Sequence, residues 1–272
     1  MINPVEKLIL ITGGSSGIGK HLAADMLRSG ATVIVVGERA DRLDKAIEEL
    51  SAISPKVFGQ RCDVGTCDDI LRMRDQVLQT HGCPDVLINN AGFATYRTFE
   101  ETEPKEIERL VSVNLLGAMR CTQAFLPQMI ARGSGAIVNM ASIAGRLIIT
   151  PNATYGAAKH ALVAWSEALR YELARFNIQV NVICPGRVET PFFDHETFQN
   201  RVPRAETRFT ITLEDISRAT RRAIANNQFM TYVPRTLGFL VWLTNAVPFL
   251  VKPIYGRLIR ARIKSIYNKT TR

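Results

Sequence analysis

Short apolar runs alternate with longer amphipathic stretches along most of the chain. The runs at 8–11, 32–36, 56–61, 86–89, 136–140 and 180–183 are rich in Val and Ile and short enough to be strands. Helical spacing fills the segments between them. Residues 17–29 open on glycines and close at Gly30, 39–50 carry charges on one face, and 104–132 and 153–176 are longer. Thr212 and Asp215 have the spacing of a capping box opening another helix, and a last strand follows near 230–233. Apolar strands alternating with helices predict parallel pairing through right-handed crossovers. The expected fold class is α/β: a doubly wound parallel sheet with helices on both faces, in three layers α/β/α. No internal repeat or low-complexity linker breaks the alternation, which predicts one domain over 1–234 and an extension over 235–272.

Length and composition narrow the class. With 272 residues, 46% hydrophobic and 22% charged, the chain can bury a full core, which excludes a disordered tail, a collagen-like fibre and a disulfide-knotted miniprotein. The longest apolar stretch, 237–251, is interrupted by Thr244, Asn245 and Pro248 and falls short of the roughly 20 residues of a membrane-spanning helix. The N-terminus runs almost at once into the first strand, so no secretory signal is expected. Five scattered cysteines fit free thiols in a reducing cytoplasm. Cys62, Cys67, His81 and Cys83 match no standard zinc spacing, and no metal site is expected.

The net charge of +9 is unevenly spread. Residues 235–272 hold eight Lys or Arg and no Asp or Glu, which leaves +1 for the first 234 residues. A nearly neutral domain therefore carries a cationic, apolar extension.

Candidate chemistry gathers at the strand ends. After the first strand come Thr12, Gly13, Gly14, Ser15, Ser16, Gly17, Ile18 and Gly19, opening a helix. Gly13 permits a tight turn, Gly17 a close backbone approach to a diphosphate, and Gly19 close helix–sheet packing, with the helix N-terminus favouring an anion. A plain glycine-rich turn has the same composition, so support must come from elsewhere. Ligands of open α/β sheets bind outside the carboxyl ends of the strands. Polar or small residues stand there: Asp63 and Val64 after the third strand, Asn89, Asn90, Ala91 and Gly92 after the fourth, Pro185 and Gly186 after the sixth, with Val188 and Thr190 beyond. Asp63 could accept from an adenine amino group. Together they outline one groove.

Of six tyrosines only Tyr155 has a Lys four residues on, Lys159, so the two share a helix face. Ser142 follows the fifth strand and could converge on the same point. A tyrosine near its ordinary pKa is a poor base at neutral pH, and a nearby ammonium would stabilise its phenolate. Ser142 would hold a substrate oxygen while Tyr155 passes its proton.

These residues carry a resemblance. Thr12 to Gly19, Asp63, Asn89 to Gly92, Asn114, Ser142, Tyr155 with Lys159, and Pro185-Gly186 are similar, in order over residues 7 to about 234, to the motif set of the short-chain dehydrogenase/reductase family. The resemblance implies a Rossmann fold, a nicotinamide cofactor and a catalytic tetrad of Asn114, Ser142, Tyr155 and Lys159. It also implies that Asn114 supports a water linking Lys159 to a proton relay, that Lys159 binds the nicotinamide ribose, and that Val188 to Thr190 contact the carboxamide. No position of the motif set departs from the pattern, which favours an active enzyme.

The cofactor is NAD or NADP, with the choice open. NAD-preferring relatives usually have an acid where Gly37 stands, and NADP-preferring ones an Arg where Glu38 stands. Glu38 would accept from a ribose hydroxyl and repel a 2′-phosphate, whereas Arg39 or Arg42 could bind that phosphate. Ser16 lacks the basic side chain that many NADP-specific relatives carry.

Phe192, Phe193, Phe198 and Phe209 lie in the segment expected over the site, and with Leu147, Ile148 and Ile149 they suggest an apolar, lipid-like substrate. The extension sets apolar residues and Trp242 beside cations, as an interfacial helix does. It resembles the C-terminal extensions of lipid-directed members of the family. Packing on its own domain or on a second subunit is the alternative, and nucleic acid is not an expected partner. The expected activity interconverts an alcohol and a ketone or aldehyde in a cytoplasmic homodimer or homotetramer, with peripheral membrane contact through 235–272. The alternatives are a non-catalytic NAD(P)-sensing protein that docks on a membrane or partner, and a soluble 3-oxoacyl thioester reductase.

Overall fold

The structure, a computed structural model, describes residues 6–188, 190, 192, 196–198 and 211–270. Seven strands, β1 (Leu8–Thr12), β2 (Thr32–Gly37), β3 (Val57–Arg61), β4 (Val86–Asn89), β5 (Gly135–Met140), β6 (Ile178–Pro185) and β7 (Met230–Val233), form one sheet in the order β3-β2-β1-β4-β5-β6-β7. All six pairings are parallel. The chain starts in the middle, winds outward to β3, returns past β1 and continues to β7. That reversal makes the sheet doubly wound and leaves a crevice at the carboxyl ends of β1 and β4.

Strand alternation assigns the two faces. Along β1, Ile9 and Ile11 pack on one side and Leu10 on the other. The first side is covered by α1 (Gly17–Arg28), α2 (Ala40–Ser51) and α7 (Leu213–Ala225), the second by α3 (Cys67–Thr80), α5 (Gly117–Arg132) and α6 (Ala153–Ala174). Helix α3 is absent from the elements predicted above. Its buried apolar residues are only Ile70, Met73 and Val77, and five charged residues between Asp68 and Asp75 interrupt the pattern.

The long helical segment predicted over 104–132 is helical throughout but not uniform. Between α4 (Pro104–Val111) and α5, residues Ser112–Leu116 form a π-helical turn. Such turns widen the helix locally and recur at functional sites. Asn114 lies in it. Beyond β7, α8 (Thr236–Ala246) and α9 (Pro248–Thr270) form the extension.

A buried polar chain fixes α5 and α6 on the sheet. Asn89 and Asn139 are register partners on β4 and β5, and the Asn89 amide donates to Asn139 Oδ1 at 2.8 Å and to Thr122 Oγ1 on α5 at 3.0 Å. Asn139 Nδ2 in turn donates to Ser166 Oγ on α6 at 2.8 Å, and that hydroxyl donates to Leu162 O. Because α6 carries Tyr155 and Lys159, these bonds help set that candidate pair against the strand ends. Removing one partner leaves buried groups unsatisfied, at a cost of about 1–3 kcal/mol. Asn139→Leu should therefore lower the urea midpoint at unchanged slope, and an unchanged midpoint would show that the chain of bonds carries no net stability.

Candidate active site

The carboxyl end of β1 turns sharply into α1. Gly13 (φ +62°) and Gly17 (φ +52°) adopt left-handed backbone that other residues rarely take. At Gly19 the constraint is contact: a Cβ would lie 2.4 Å from Gly13 O and 2.5 Å from Asn90 Nδ2. Asn90 clamps this turn from the neighbouring strand, donating to Thr12 O at 3.0 Å and Gly13 O at 3.1 Å. Thr12 Oγ1 accepts from the amides of Asn90 and Ala91 in return. The first turn of α1 contains no acidic residue, and Ser16 makes no side-chain cap, so the exposed N–H groups and helix dipole favour an anion. Ser15 packs where a Cβ on Gly37 would stand, 3.2 Å from its Oγ, and Thr190 lies 3.5 Å from the Cβ position of Gly17. Ile18 packs into the core beside this turn. The cradle fits a diphosphate.

At the outer end of the groove the polar residues engage each other through a residue that sequence reasoning missed. Arg109 on α4 donates to Asp63 Oδ2 at 2.7 Å and to Glu38 Oε1 at 3.1 Å. Asp63 also accepts from the Gly65 amide at 2.8 Å and from Thr66 Oγ1. Partial burial acts to raise the Asp63 carboxyl, but Arg109 and the Gly65 amide outweigh it and hold it below the usual carboxylate range. Arg39 is drawn to Asp41 at 2.6 Å, and the guanidinium on the Glu38 carboxylate is that of Arg109. Nothing in the sequence marks it, because the ion pairs join residues 46 and 71 positions apart. Val64 is buried and presses on α5, where a Cβ on Gly117 would meet its carbonyl at 2.9 Å.

The inner end holds the tetrad. Ser142 caps the 3₁₀ turn Ile143–Gly145 after β5, accepting from the Ala144 amide at 3.1 Å, and its hydroxyl acts to lower the Tyr155 phenol. Lys159, one turn along α6 from Tyr155, donates to Met140 O at 3.0 Å, with Nζ 5.7 Å from the Tyr155 ring centroid. Asn114 reaches in from the π-turn. Its amide donates to Phe93 O at 2.8 Å and Leu110 O at 3.0 Å, which aims Oδ1 inward, buried and without a hydrogen-bond partner. A Cβ on Gly92 would lie 2.6 Å from Asn114 Oδ1 and 3.4 Å from Lys159 Nζ, so Gly92 keeps the space between them open. An orphan acceptor facing a buried ammonium across such a space suits the proton relay that the resemblance implied.

Burial dominates the titration of both central groups. It pushes the Tyr155 phenol up to about 12 and the Lys159 ammonium down to about 8. Desolvation outweighs the lowering effect of the Ser142 hydroxyl, and the phenol stays protonated at neutral pH, as a proton donor should.

Tyr155 belongs to an apolar cluster with Ala94, Tyr96, Ala144 and Phe198, and Ile149 and Phe192 pack against it. The Phe192 ring centroid is 5.9 Å from that of Tyr155, and Phe198 lies 5.5 Å from Tyr96. Phe193 and Phe209 fall outside the described residues. Tyr96, four residues beyond Gly92, has no sequence signal of its own. Pro185 ends β6, the Gly186 amide donates to Val233 O at 2.8 Å, and Val188 is buried in the core under the loop. A separate cleft of about 400 Å³ between α7 and β7, lined by Arg218, Arg222 and Arg235 among others, includes none of these site residues.

A family model described as short chain dehydrogenase matches residues 7–200. The chain is 34% identical over 220 residues to the ketoacyl reductase HetN of Nostoc sp., covering 81% of this chain and 76% of that protein. Among solved structures, a short-chain dehydrogenase/reductase from Burkholderia phymatum in complex with NAD superposes with a TM-score of 0.82 at 24% identity, over 92% of this chain and 96% of that one, a likeness of fold alone. A short-chain dehydrogenase from Sphingobium yanoikuyae in complex with NADPH superposes with a TM-score of 0.77 at 25% identity, over 89% of this chain and 94% of that one.

The depressed Lys159 value has a consequence for stability. Between about 8 and the ordinary 10.5 the unfolded chain holds the proton that the folded chain has lost, so this group makes stability rise with pH across that window. Below it, the folded state carries the full cost of a buried ammonium. Lys159→Met removes that cost, so its melting temperature relative to the parent should be highest below pH 8 and fall progressively toward pH 10.5. Tyr155 is common to both proteins and cancels. A difference independent of pH would contradict the assignment.

Proposed function

The chain belongs to the short-chain dehydrogenase family, and from that membership we propose that it interconverts an alcohol and a ketone or aldehyde on an apolar, lipid-like molecule. It is an oxidoreductase of the NAD(P)-dependent kind. The observation that carries the reading is the meeting of Tyr155, Ser142 and Lys159 with the orphan Asn114 Oδ1 at the strand ends, beside the diphosphate cradle.

When bound, the nicotinamide cofactor supplies or accepts the hydride. In the reducing direction the Ser142 hydroxyl holds the substrate oxygen and the protonated Tyr155 gives it a proton. Lys159 offers a positive charge as the phenolate develops, and replacement of the proton runs through the space that Gly92 leaves between Lys159 and Asn114. Tyr96, Ile149, Phe192 and Phe198 form apolar walls that exclude water and favour a hydrocarbon next to the reacting carbon. The residues fit either cofactor: Glu38 favours a free ribose hydroxyl, while Arg109 beside it offers a guanidinium to a 2′-phosphate.

The same reading places the protein in the cytoplasm as a homodimer or homotetramer. The outer face of α6 supports that assembly, since Ala157, Ala164 and Ala168 leave it a low, exposed surface beside Tyr171. The second enzymatic reading, a 3-oxoacyl thioester reductase, is favoured by the similarity to HetN, which is called a ketoacyl reductase.

Tyr155→Phe keeps the ring and removes the hydroxyl. It should lower ketone-dependent oxidation of NADH or NADPH by about 10²–10⁴ while cofactor binding, followed by fluorescence titration, stays within a small factor of the parent. Turnover at the parent's rate would overturn the reading. Activity on acyl-thioester mimics with none on long-chain ketones would select the second one.

A further inference from the structure

The extension leaves an unusual surface. Among the described residues, seven of the thirteen large exposed apolar side chains fall between 239 and 258, and Phe239, Trp242, Phe249, Leu250, Ile254 and Leu258 are each more than half exposed. On α9, Leu250, Ile254 and Leu258 recur every four residues and so form one stripe, with Arg257, Arg260 and Lys264 exposed beside it. Residues 235–272 contain eight cations and no acid. An apolar stripe edged only by cations complements an anionic lipid surface: the rings and aliphatic chains enter the acyl boundary while the long basic side chains reach the headgroups.

No single described helix is long and apolar enough to cross a bilayer, and α8 and the first part of α9, which together carry enough apolar residues, meet at 115°. An elbow of this kind is suited to lying along a surface, each arm presenting one apolar side to it.

The elbow also adjoins the site. Val241 of α8 is buried against Ile143 and Leu147, which follow Ser142, and Tyr255 of α9 donates to Ile148 O at 2.6 Å. Ile149 packs both into this cluster and against the one that contains Tyr155. One short apolar segment, 147–149, thus has the catalytic tyrosine on one side and the extension on the other, and Ile148 between them is exposed.

We propose that α8 and α9 seat the protein on an anionic membrane surface with the substrate entrance against it, so that its substrates are amphiphiles resident in the bilayer. This substrate assignment rests on the oxidoreductase reading; the docking does not. The arrangement lets an apolar substrate pass from the acyl boundary to Tyr155 along residues 147–149 without crossing water.

The test uses the full chain and vesicles of phosphatidylcholine, with or without a minor fraction of phosphatidylserine. Co-sedimentation should be strong with the anionic vesicles, weak with the neutral ones, and lost at high salt. Arg257→Gln with Arg260→Gln should lower partitioning about thirtyfold, near fivefold for each cation removed. Phe249→Ser, which keeps every charge, should weaken it too. In turnover, the double variant should match the parent on a short water-soluble ketone and lose activity on a long-chain ketone carried in anionic vesicles. Equal partitioning to both vesicle types, or full binding by both variants, overturns the docking. So does dissociation of an oligomer by these variants without any vesicle binding by the parent, since a second copy would then cover the face. Intact docking with equal losses on both ketones overturns the delivery route. Absence of turnover on either ketone by the parent counts against the oxidoreductase reading and the substrate class, while sedimentation still decides the docking.

Discussion

A lysine ammonium withdrawn from water is the constraint around which this site is built. Lys159 is held by one backbone carbonyl at the end of β5, and burial lowers its affinity for a proton. Nothing local to α6 would place it there. The helix must sit close to the strand ends, and it does so because Asn139 ties Ser166 to β5 while Asn89 ties β5 to β4 and α5. The π-turn then brings Asn114 Oδ1 to face the same space, which Gly92 keeps clear. The strained and costly features occur together: a wide helical turn, an orphan acceptor and a buried cation. Structures retain such groups where they serve chemistry.

The cofactor end is built on the opposite principle. There the backbone carries the recognition and side chains are kept away, at Gly13, Gly17 and Gly19, so that N–H groups and a helix dipole face the ligand. Only at the outer end do charges decide. Arg109 bridges Glu38 and Asp63, which makes one guanidinium the common partner of two strand ends. In the proposed reading, the balance between Glu38 and Arg109 sets the local preference for a ribose hydroxyl or a phosphate.

Much of this was legible in the sequence because it is local. The strands reveal themselves by short apolar runs, the phosphate turn by glycine spacing, and the Tyr155–Lys159 pair by helical periodicity. The missing parts are those whose signal is long-range or weak. Helix α3 buries only Ile70, Met73 and Val77, interleaved with charges, and the π-turn looks like ordinary helix in sequence. Arg109 is one arginine among many until the fold brings its side chain to Glu38 and Asp63, just beyond β2 and β3. The elevated Tyr155 value could not be read either, because desolvation depends on Tyr96, Phe192 and Phe198 closing over the ring rather than on the neighbour four residues along.

The central claim is that a proton from Tyr155 and a hydride reach one carbonyl group. The most direct measurement uses reduced NAD and NADP deuterated at nicotinamide C4, offered with a panel of long-chain ketones, and mass spectrometry of the alcohol. The account predicts deuterium at the carbinol carbon of the product. Unlabelled alcohol, or no alcohol from any member of the panel with either cofactor, would contradict it.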